Sequence, residues 1–198
     1  MGDLSRREAL QALAAAAAAT GAHACAPADV DRAAREAAKA KAAGGFTPRF
    51  FTPDELAAAT LLADLILPRD ERSGSASEAG VPEFLDFVLA EEMTDPVRIR
   101  GGLGWLDREC QDRFGKRFLD CAEAERTAVL DDIAWPAKAR PEHSQGVAFF
   151  TAFRDLVAGG FWSSKVGVED LGYQGNVVVT EWKGCPEEQL RKLGVSYG

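Results

Sequence analysis

The sequence predicts an all-α fold: a compact domain of five or six helices that ends in an irregular C-terminal wrap. Three observations support this prediction. Apolar residues recur at helical spacing through residues 52–162, and capping residues, prolines and glycines mark the ends of each periodic stretch. No segment alternates strands with helices, as a dinucleotide-binding sheet would require. With 198 residues, 46% of them hydrophobic, the chain is long enough to bury a core.

Residues 1–24 are typical of an export signal. The pair Arg6-Arg7 precedes an uncharged, alanine-rich stretch over residues 10–21 and a small-residue exit. Paired arginines after Ser5 favour the twin-arginine type, whose cargo folds in the cytoplasm. An ordinary alanine-rich helix is the alternative, but an uncharged stretch without amphipathic period makes a poor surface helix. Since the stretch is too short for a permanent span, we expect a periplasmic protein.

Residues 25–45 are predicted to be an alanine-rich tether that is helical at times and buries little. Cys25 directly follows the predicted signal and could carry a lipid that holds the protein at a membrane. Lipidation usually requires a leucine-type residue at the third position before the cysteine, and that position is Ala22. Cleavage of the signal without lipidation therefore stays open.

The predicted helical domain covers residues 46–198, and its first helix begins at a capping box. Thr52 can cap this helix with Glu55 as the reciprocal partner, and Pro68 stops it. Residues 69–80 are predicted to be an exposed loop. The next four helices are predicted from Pro82, from about Pro96 to Arg113, from a capping pattern at Asp120 and Glu123 to Trp135, and from a Ser144 cap toward Phe161-Trp162.

From Lys165 onward the helical period fades and glycines punctuate the chain. Residues 177–179 could form a short strand, and a short helix is predicted over Glu187–Leu193. Aromatic residues between glycines suit a segment laid across another surface, although a wrap over the chain's own helices explains them equally well. The predicted partner interface consists of Phe161, Trp162, Tyr173, Gly175, Asn176, Trp182, Gly184, Cys185 and Pro186.

Composition excludes several functional classes. The net charge of −8 and the lack of a basic cluster after the signal make nucleic acid an improbable partner. The four cysteines form no C-x-x-C pair. The sequence therefore lacks the usual signature of a zinc ribbon, a thioredoxin-like motif or a c-haem attachment site. Cys110 and Cys121 could form a disulfide, and Cys185 could be free or pair with a partner.

The sequence predicts no catalytic, cofactor-binding or metal-binding residue in this chain. Of the two histidines, one lies in the signal, and His143 lies in a polar loop where a solvated or capping role is expected. The carboxylate pairs Asp131-Asp132 and Glu91-Glu92 are predicted to face water on helix surfaces. The sequence contains no H-E-x-x-H, G-x-S-x-G, P-loop or strand-linked G-x-G-x-x-G motif.

An ordered set of short motifs resembles the gluconate 2-dehydrogenase subunit 3 family over residues 51–186. The motifs are Phe51-Thr52-x-x-Glu55, Ile66-Leu67-Pro68, Gly80-Val81-Pro82-x-Phe84-Leu85-Asp86, Gly104-Trp105-Leu106-Asp107, Phe118 with Glu123 and Leu130, Phe161-x-Ser163-Ser164-x-x-Gly167, Gly172-Tyr173-x-Gly175-Asn176 and Gly184-Cys185-Pro186. Each motif is degenerate, and it is their order that is specific. The alanine-rich tether carries no signature of the family.

The resemblance implies a non-catalytic small subunit that escorts and stabilises a large flavoprotein dehydrogenase for sugars or sugar acids. Catalysis and the FAD would belong to that partner, of the glucose-methanol-choline oxidoreductase type. A cytochrome c subunit can carry the electrons onward, and membrane association would be indirect or through Cys25. The alternative from a different class is a free-standing periplasmic or lipid-anchored binding protein.

Overall fold

The computed structural model describes residues 27–42, 44, 46–173, 175, 181 and 184–197. The predicted export signal with Arg6 and Arg7, and the lipidation candidate Cys25, lie outside these residues. So do two predicted interface residues, Asn176 and Trp182, and the strand predicted over residues 177–179.

The described chain folds into α-helices joined by short connections, with no strand in the described ranges. The helices are α1 (Pro27–Ala42), α2 (Pro53–Ile66), α3 (Ala76–Ala79), α4 (Val81–Ala90), α5 (Pro96–Phe114), α6 (Glu123–Ala134), α7 (Ser144–Trp162), α8 (Lys165–Leu171) and α9 (Glu187–Leu193), with 3-10 turns at Phe118–Asp120 and Pro141–His143. The all-α prediction is confirmed. The five helices α2, α4, α5, α6 and α7 correspond to the five predicted between residues 52 and 162. None of the described helices is both long and apolar enough to cross a membrane.

The long helix α7 lies at the centre of the fold and packs against each of α1–α6 and α8. Its side chains Phe149 and Phe153 are fully buried. Two glycines permit the close approach of α5 and α7. A Cβ atom on Gly102 would lie 1.9 Å from the Phe149 ring, and one on Gly146 would lie 2.6 Å from the Trp105 ring. These aromatic rings take the space that ordinary side chains would occupy.

Some predicted helix caps are confirmed and others are wrong. The box at Thr52 is present, with Thr52 Oγ1 accepting from the N–H of Glu55 at 3.3 Å. Asp120 instead lies in a 3-10 turn, and the N-cap of α6 is Ala122, whose N–H donates to the Glu125 carboxylate at 2.7 Å. Ser144 is the first residue of α7 rather than its cap.

Two segments predicted to be irregular are helical. The loop predicted over residues 69–80 contains α3, which begins at a capping box formed by Ser75 and Glu78. The segment after Lys165, where the helical period fades, forms α8. With 4 and 7 residues, both helices are shorter than two full turns. A helix of this length shows too few repeats of the helical period to be predicted from its apolar pattern.

The tether prediction is wrong for residues 27–42, because α1 packs along α4 as part of the domain. Ala33 and Ala37, one turn apart, are buried at 0% and 5% exposure. Small alanine side chains bury little area each, but they let the two helices come close together. The Lys41 ammonium adds hydrogen bonds to the carbonyls of Ser77 and Glu78, which fixes the far end of α1.

Candidate functional site

The corner between α7 and α8 accounts for the motif Phe161-x-Ser163-Ser164-x-x-Gly167. The Ser164 hydroxyl donates to the carbonyl of Phe161 at 2.7 Å and accepts from the N–H of Gly167 at 3.0 Å. A Cβ on Gly167 would lie 2.1 Å from the Phe161 carbonyl oxygen, so only glycine fits there. The Phe161 side chain is 3% exposed and belongs to the core. Its predicted place in a partner interface is therefore wrong.

Beyond this corner, apolar side chains point outward. Trp162, Leu171 and Tyr173 are 41%, 63% and 58% exposed, and Gly167 is the only buried residue of α8. Gly172 ends α8 in the left-handed conformation (φ 66°) and reverses the chain toward Tyr173. The end of α8 is held by Arg72, which donates to the carbonyl of Asp170 at 2.8 Å. The exposed side chains thus sit on a fixed support.

The last described segment, residues 184–197, closes on itself. Gly184 has φ 78°, and a Cβ there would lie 2.9 Å from the Tyr197 ring. The N–H of Cys185 donates to the Tyr197 hydroxyl at 2.6 Å. Between these residues α9 has no buried residue. The alternative of a wrap over the chain's own helices expects α9 to be buried against them, and this burial is not observed.

Large exposed hydrophobic residues concentrate at the C-terminal end of the chain. Of the eight in the described residues, six follow α7 or end it: Trp162, Leu171, Tyr173, Leu193, Val195 and Tyr197. Gly175 and Pro186 are also exposed, while Gly184 and Cys185 are half-buried. We call this set of six residues the C-terminal apolar surface. Exposed tryptophan and tyrosine side chains are typical of protein interfaces, and their concentration in this part of the chain makes the set the candidate functional site.

Sequence reasoning had selected only Trp162 and Tyr173 from this surface. It missed Leu171, Leu193 and Val195, and the C-terminal Tyr197. A signal was available, because Leu171 and Leu193 each precede a glycine that ends a short helix. The sequence analysis selected mainly aromatic residues and glycine-containing turns, so these aliphatic residues were not chosen.

Another motif residue, Asp86 on α4, is used inside the fold. Its side chain is 1% exposed. One carboxylate oxygen accepts from the backbone N–H groups of Phe50 and Phe51, both at 3.0 Å, and the other accepts from that of Arg49 at 2.8 Å. Asp86 thereby holds the segment that leads into α2, which is a structural role.

His143 lies beside a partly exposed ionic cluster between α5, α6 and the turn before α7. The prediction of a solvated side chain is wrong, because His143 is 4% exposed. The alternative of a capping position is confirmed, since His143 is the N-cap residue of α7, although its side chain makes no cap hydrogen bond. Its Nε2 lies 3.4 Å from Arg113 and 3.2 Å from Arg140. Guanidinium groups can only donate, so Nε2 is the acceptor in these two contacts.

The same cluster changes the interpretation of the Asp131-Asp132 pair. Asp131 is exposed as predicted, but Asp132 accepts from Arg113 at 2.7 Å. This hydrogen bond holds the pKa of the Asp132 carboxyl below its usual value, and burial only partly opposes it. Through these contacts Arg113 joins α5 to α6 and to the turn before α7.

Cys110 and Cys121 lie in contact in the core as free thiols. Burial, followed by the hydrogen bond with Cys121, raises the pKa of the Cys110 thiol to about 12. The sequence predicted this pair as a disulfide candidate, and the structure brings the two side chains together without the bond. Within the described ranges, no group of three or more potential ligands could hold a metal ion.

The sequence matches the model of one protein family. The model of the family described as gluconate 2-dehydrogenase subunit 3 matches residues 53–180. The chain belongs to this family. The match begins with the first residue of α2 and continues past α8, leaving α1 and α9 outside. No curated protein and no solved structure shows a significant match. The resemblance inferred from the motifs is therefore confirmed, and the family description implies a dehydrogenase as partner.

Proposed function

We propose that this chain is a non-catalytic small subunit that escorts a flavin-dependent dehydrogenase to the periplasm and stabilises it there. The partner is a large flavoprotein of the glucose-methanol-choline type that binds FAD and oxidises a sugar or a sugar acid. Hydride transfer to the flavin belongs to that subunit, and no residue of this chain is assigned to it. A cytochrome c subunit is the proposed onward electron acceptor.

The C-terminal apolar surface is the observation that carries this proposal. Tyrosine and tryptophan are enriched in interface cores, where their truncation costs the most binding energy. Trp162 and Tyr173 are displayed from the corner made by Ser164 and Gly167, so they are held in place before any partner arrives. A preorganised surface loses less conformational entropy on binding. Family membership indicates that the partner is a dehydrogenase subunit.

Export is the second part of the proposal and rests on Arg6 and Arg7. A twin-arginine signal carries folded cargo, so one signal suffices for a complex assembled in the cytoplasm. Membrane association is then indirect, through the complex, or direct through a lipid on Cys25. The folded domain follows immediately, since α1 begins at Pro27.

The test is to produce this chain together with a candidate flavoprotein of the glucose-methanol-choline type from the same organism, with an affinity tag on the flavoprotein only. We expect the two chains to purify in a constant ratio, with flavin absorbance, from the periplasmic fraction. Changing Arg6→Lys and Arg7→Lys together should leave an intact complex in the cytoplasm, because the receptor reads the guanidinium group rather than the charge. The matched control, Arg32→Lys with Arg35→Lys on exposed positions of α1, should be exported normally.

Each outcome bears on a different part. Recovery of this chain alone, without any flavoprotein, contradicts the subunit proposal and favours a free-standing or lipid-anchored binding protein. Normal export of the signal variant contradicts the twin-arginine assignment and leaves the partner assignment standing.

A further inference from the structure

We propose that Cys110 and Cys121 form an intrachain disulfide once the folded protein reaches an oxidising compartment, so that the pair is a redox-dependent lock between α5 and the turn that follows it. The proposal rests on the proposed function in one respect: export brings the protein to the compartment where oxidation takes place. The geometry of the pair itself is independent of any partner.

The turn after α5 brings the two thiols into the same part of the core. Gly115 ends α5 with φ 69° and reverses the chain. The N–H of Phe118 then donates to the Asp107 carboxylate at 2.9 Å, which holds the turn against α5 one helical turn before Cys110. The N–H of Cys121 donates back to the carbonyl of Phe118 at 3.4 Å, so Cys121 stays close to the same part of α5. Both cysteines are buried in one core cluster, where the Cys121 side chain is the neighbour of the Cys110 thiol.

The surroundings keep the turn in this position. Phe118 is 1% exposed in the core, and the N–H of Cys121 donates to the carbonyl of Arg117 at 3.2 Å. Arg117 itself pairs with Asp54 at the start of α2 and with Asp120. Thiols held in contact by a packed and hydrogen-bonded turn need little further movement to form a bond.

Oxidation requires a disulfide donor of the thiol–disulfide exchange class, either a protein oxidoreductase or a small disulfide. The Cys121 thiolate attacks one donor sulfur, and one donor thiolate leaves. The Cys110 thiolate then attacks Cys121 Sγ, and the second donor thiolate leaves. The two cysteines lose two protons and two electrons, and the donor disulfide is reduced to two thiols. Cys121 acts first because it follows a short turn that can open, whereas Cys110 lies inside a 19-residue helix.

Burial determines when the reaction takes place. Cys110 is 0% exposed and Cys121 is 4% exposed, so a donor reaches Cys121 only when the turn opens. The raised pKa of Cys110 also reduces the thiolate available for the second step. Both effects favour slow oxidation of the native protein and protect the pair from stray oxidants, while a small oxidised donor present in excess still drives the reaction to completion.

The experiment uses the full-length chain, purified in reduced form from the cytoplasm, incubated with oxidised glutathione and digested with trypsin without reduction. Cleavage after Arg108, Arg113, Arg117 and Arg126 places Cys110 on peptide 109–113 and Cys121 on peptide 118–126. We expect one linked mass that separates into these two peptides on reduction. Protein from the periplasmic fraction should show the same linked mass. The oxidised form should melt about 5–10 °C above the reduced form, as expected for a bridge closing a short loop.

Matched variants complete the test. Cys185→Ser should retain the linked peptide, and Cys121→Ser should abolish it. In the Cys110→Ala/Cys121→Ala variant, oxidised glutathione should leave the melting temperature unchanged. Recovery of both peptides unlinked after prolonged oxidation of the wild-type chain, or from periplasmic protein, would overturn the proposal. Absence of the chain from the periplasm would instead contradict its export.

Discussion

The helices of the domain and the segment that follows them use aromatic side chains in opposite ways. Phe149 and Phe153 on α7 are buried to 1% and 0% exposure, and each packs among neighbouring helices. Tyr173 and Tyr197, which follow α8 and α9, are 58% and 63% exposed. The first group stabilises the fold. In the described residues the second group lies outside the core, as the proposed partner interface requires.

Polar groups show the same division. Asp86, Asp107 and Ser164 each satisfy backbone N–H groups that the fold would otherwise bury without a partner. After residue 173, the described hydrogen bonds connect only members of the same short segment, as between Cys185 and Tyr197. Substitutions in the two regions should therefore separate stability from partner binding, and the comparison can be tested by variants of decreasing expected effect.

The largest effect is expected at Asp86. Replacing it with alanine leaves the backbone N–H groups of Arg49, Phe50 and Phe51 without their acceptor. The free energy of unfolding should fall by about 3–5 kcal/mol, since each unsatisfied buried donor is costly. Chemical denaturation followed by circular dichroism measures this loss. Asp86→Asn keeps one acceptor oxygen and should lose about half as much; an equal loss for both variants would show that the hydrogen bonds are not what the carboxylate contributes.

The second-largest effect on stability is expected at one of two neighbouring glycines in α5. Gly102→Ala introduces a Cβ 1.9 Å from the Phe149 ring, and the displaced ring should reduce stability by about 2–3 kcal/mol. Gly101→Ala is the matched control, because nothing lies within 4 Å of its Cβ. Alanine there should raise stability by up to about 1 kcal/mol through helix propensity. Equal melting temperatures for the two variants would contradict the close packing of α5 on α7.

Sequence patterns predicted the long helices well because periodicity and caps are local properties. The box at Thr52 and Glu55, the proline after α2 and the short α9 were all found from neighbouring residues. Local patterns could not place α1, since Ala33 and Ala37 are recognised as core residues only when α4 lies against them. They also placed His143 in water, because its partner Arg113 lies on α5, 30 residues away in the sequence.

The candidate surface was only partly predictable for the same reason. Phe161 and Trp162 are adjacent in sequence and equally aromatic, yet one is in the core and the other is half-exposed. Phe161 continues the buried face of α7 at steps of four residues after Phe153 and Val157, whereas Trp162 lies off that face. The interface prediction grouped the two by residue type and did not apply this period. Contact between Cys110 and Cys121 likewise depends on the register of the turn between them.

A smaller effect, on binding rather than folding, is expected at the C-terminal apolar surface. Tyr173→Ala should weaken binding of the flavoprotein by about 2 kcal/mol, roughly thirtyfold in Kd, as truncation of an interface aromatic does. Its melting temperature as a free chain should stay unchanged, because Tyr173 is largely exposed. The matched control is Trp135→Ala, an equally exposed aromatic at the end of α6. Calorimetric titration that found both variants equally affected would place the interface elsewhere.

The smallest effect belongs to an exposed element of the domain itself, the cap of α2. Thr52→Ala removes the acceptor for the N–H of Glu55 and should cost about 1 kcal/mol. Burial of Glu55 disfavours its charged form, but hydrogen bonds from Thr52 and Arg100 outweigh burial, so the pKa of this carboxyl lies below 4.5. A depressed pKa contributes stability above that value and loses it as the pH falls through the folded pKa. The stability gap between Thr52→Ala and the wild type should therefore narrow below about pH 4.5, measured by denaturation across a pH series. A gap that stayed constant down to pH 3 would show that the Thr52 side chain does not contribute to the lowered pKa of Glu55.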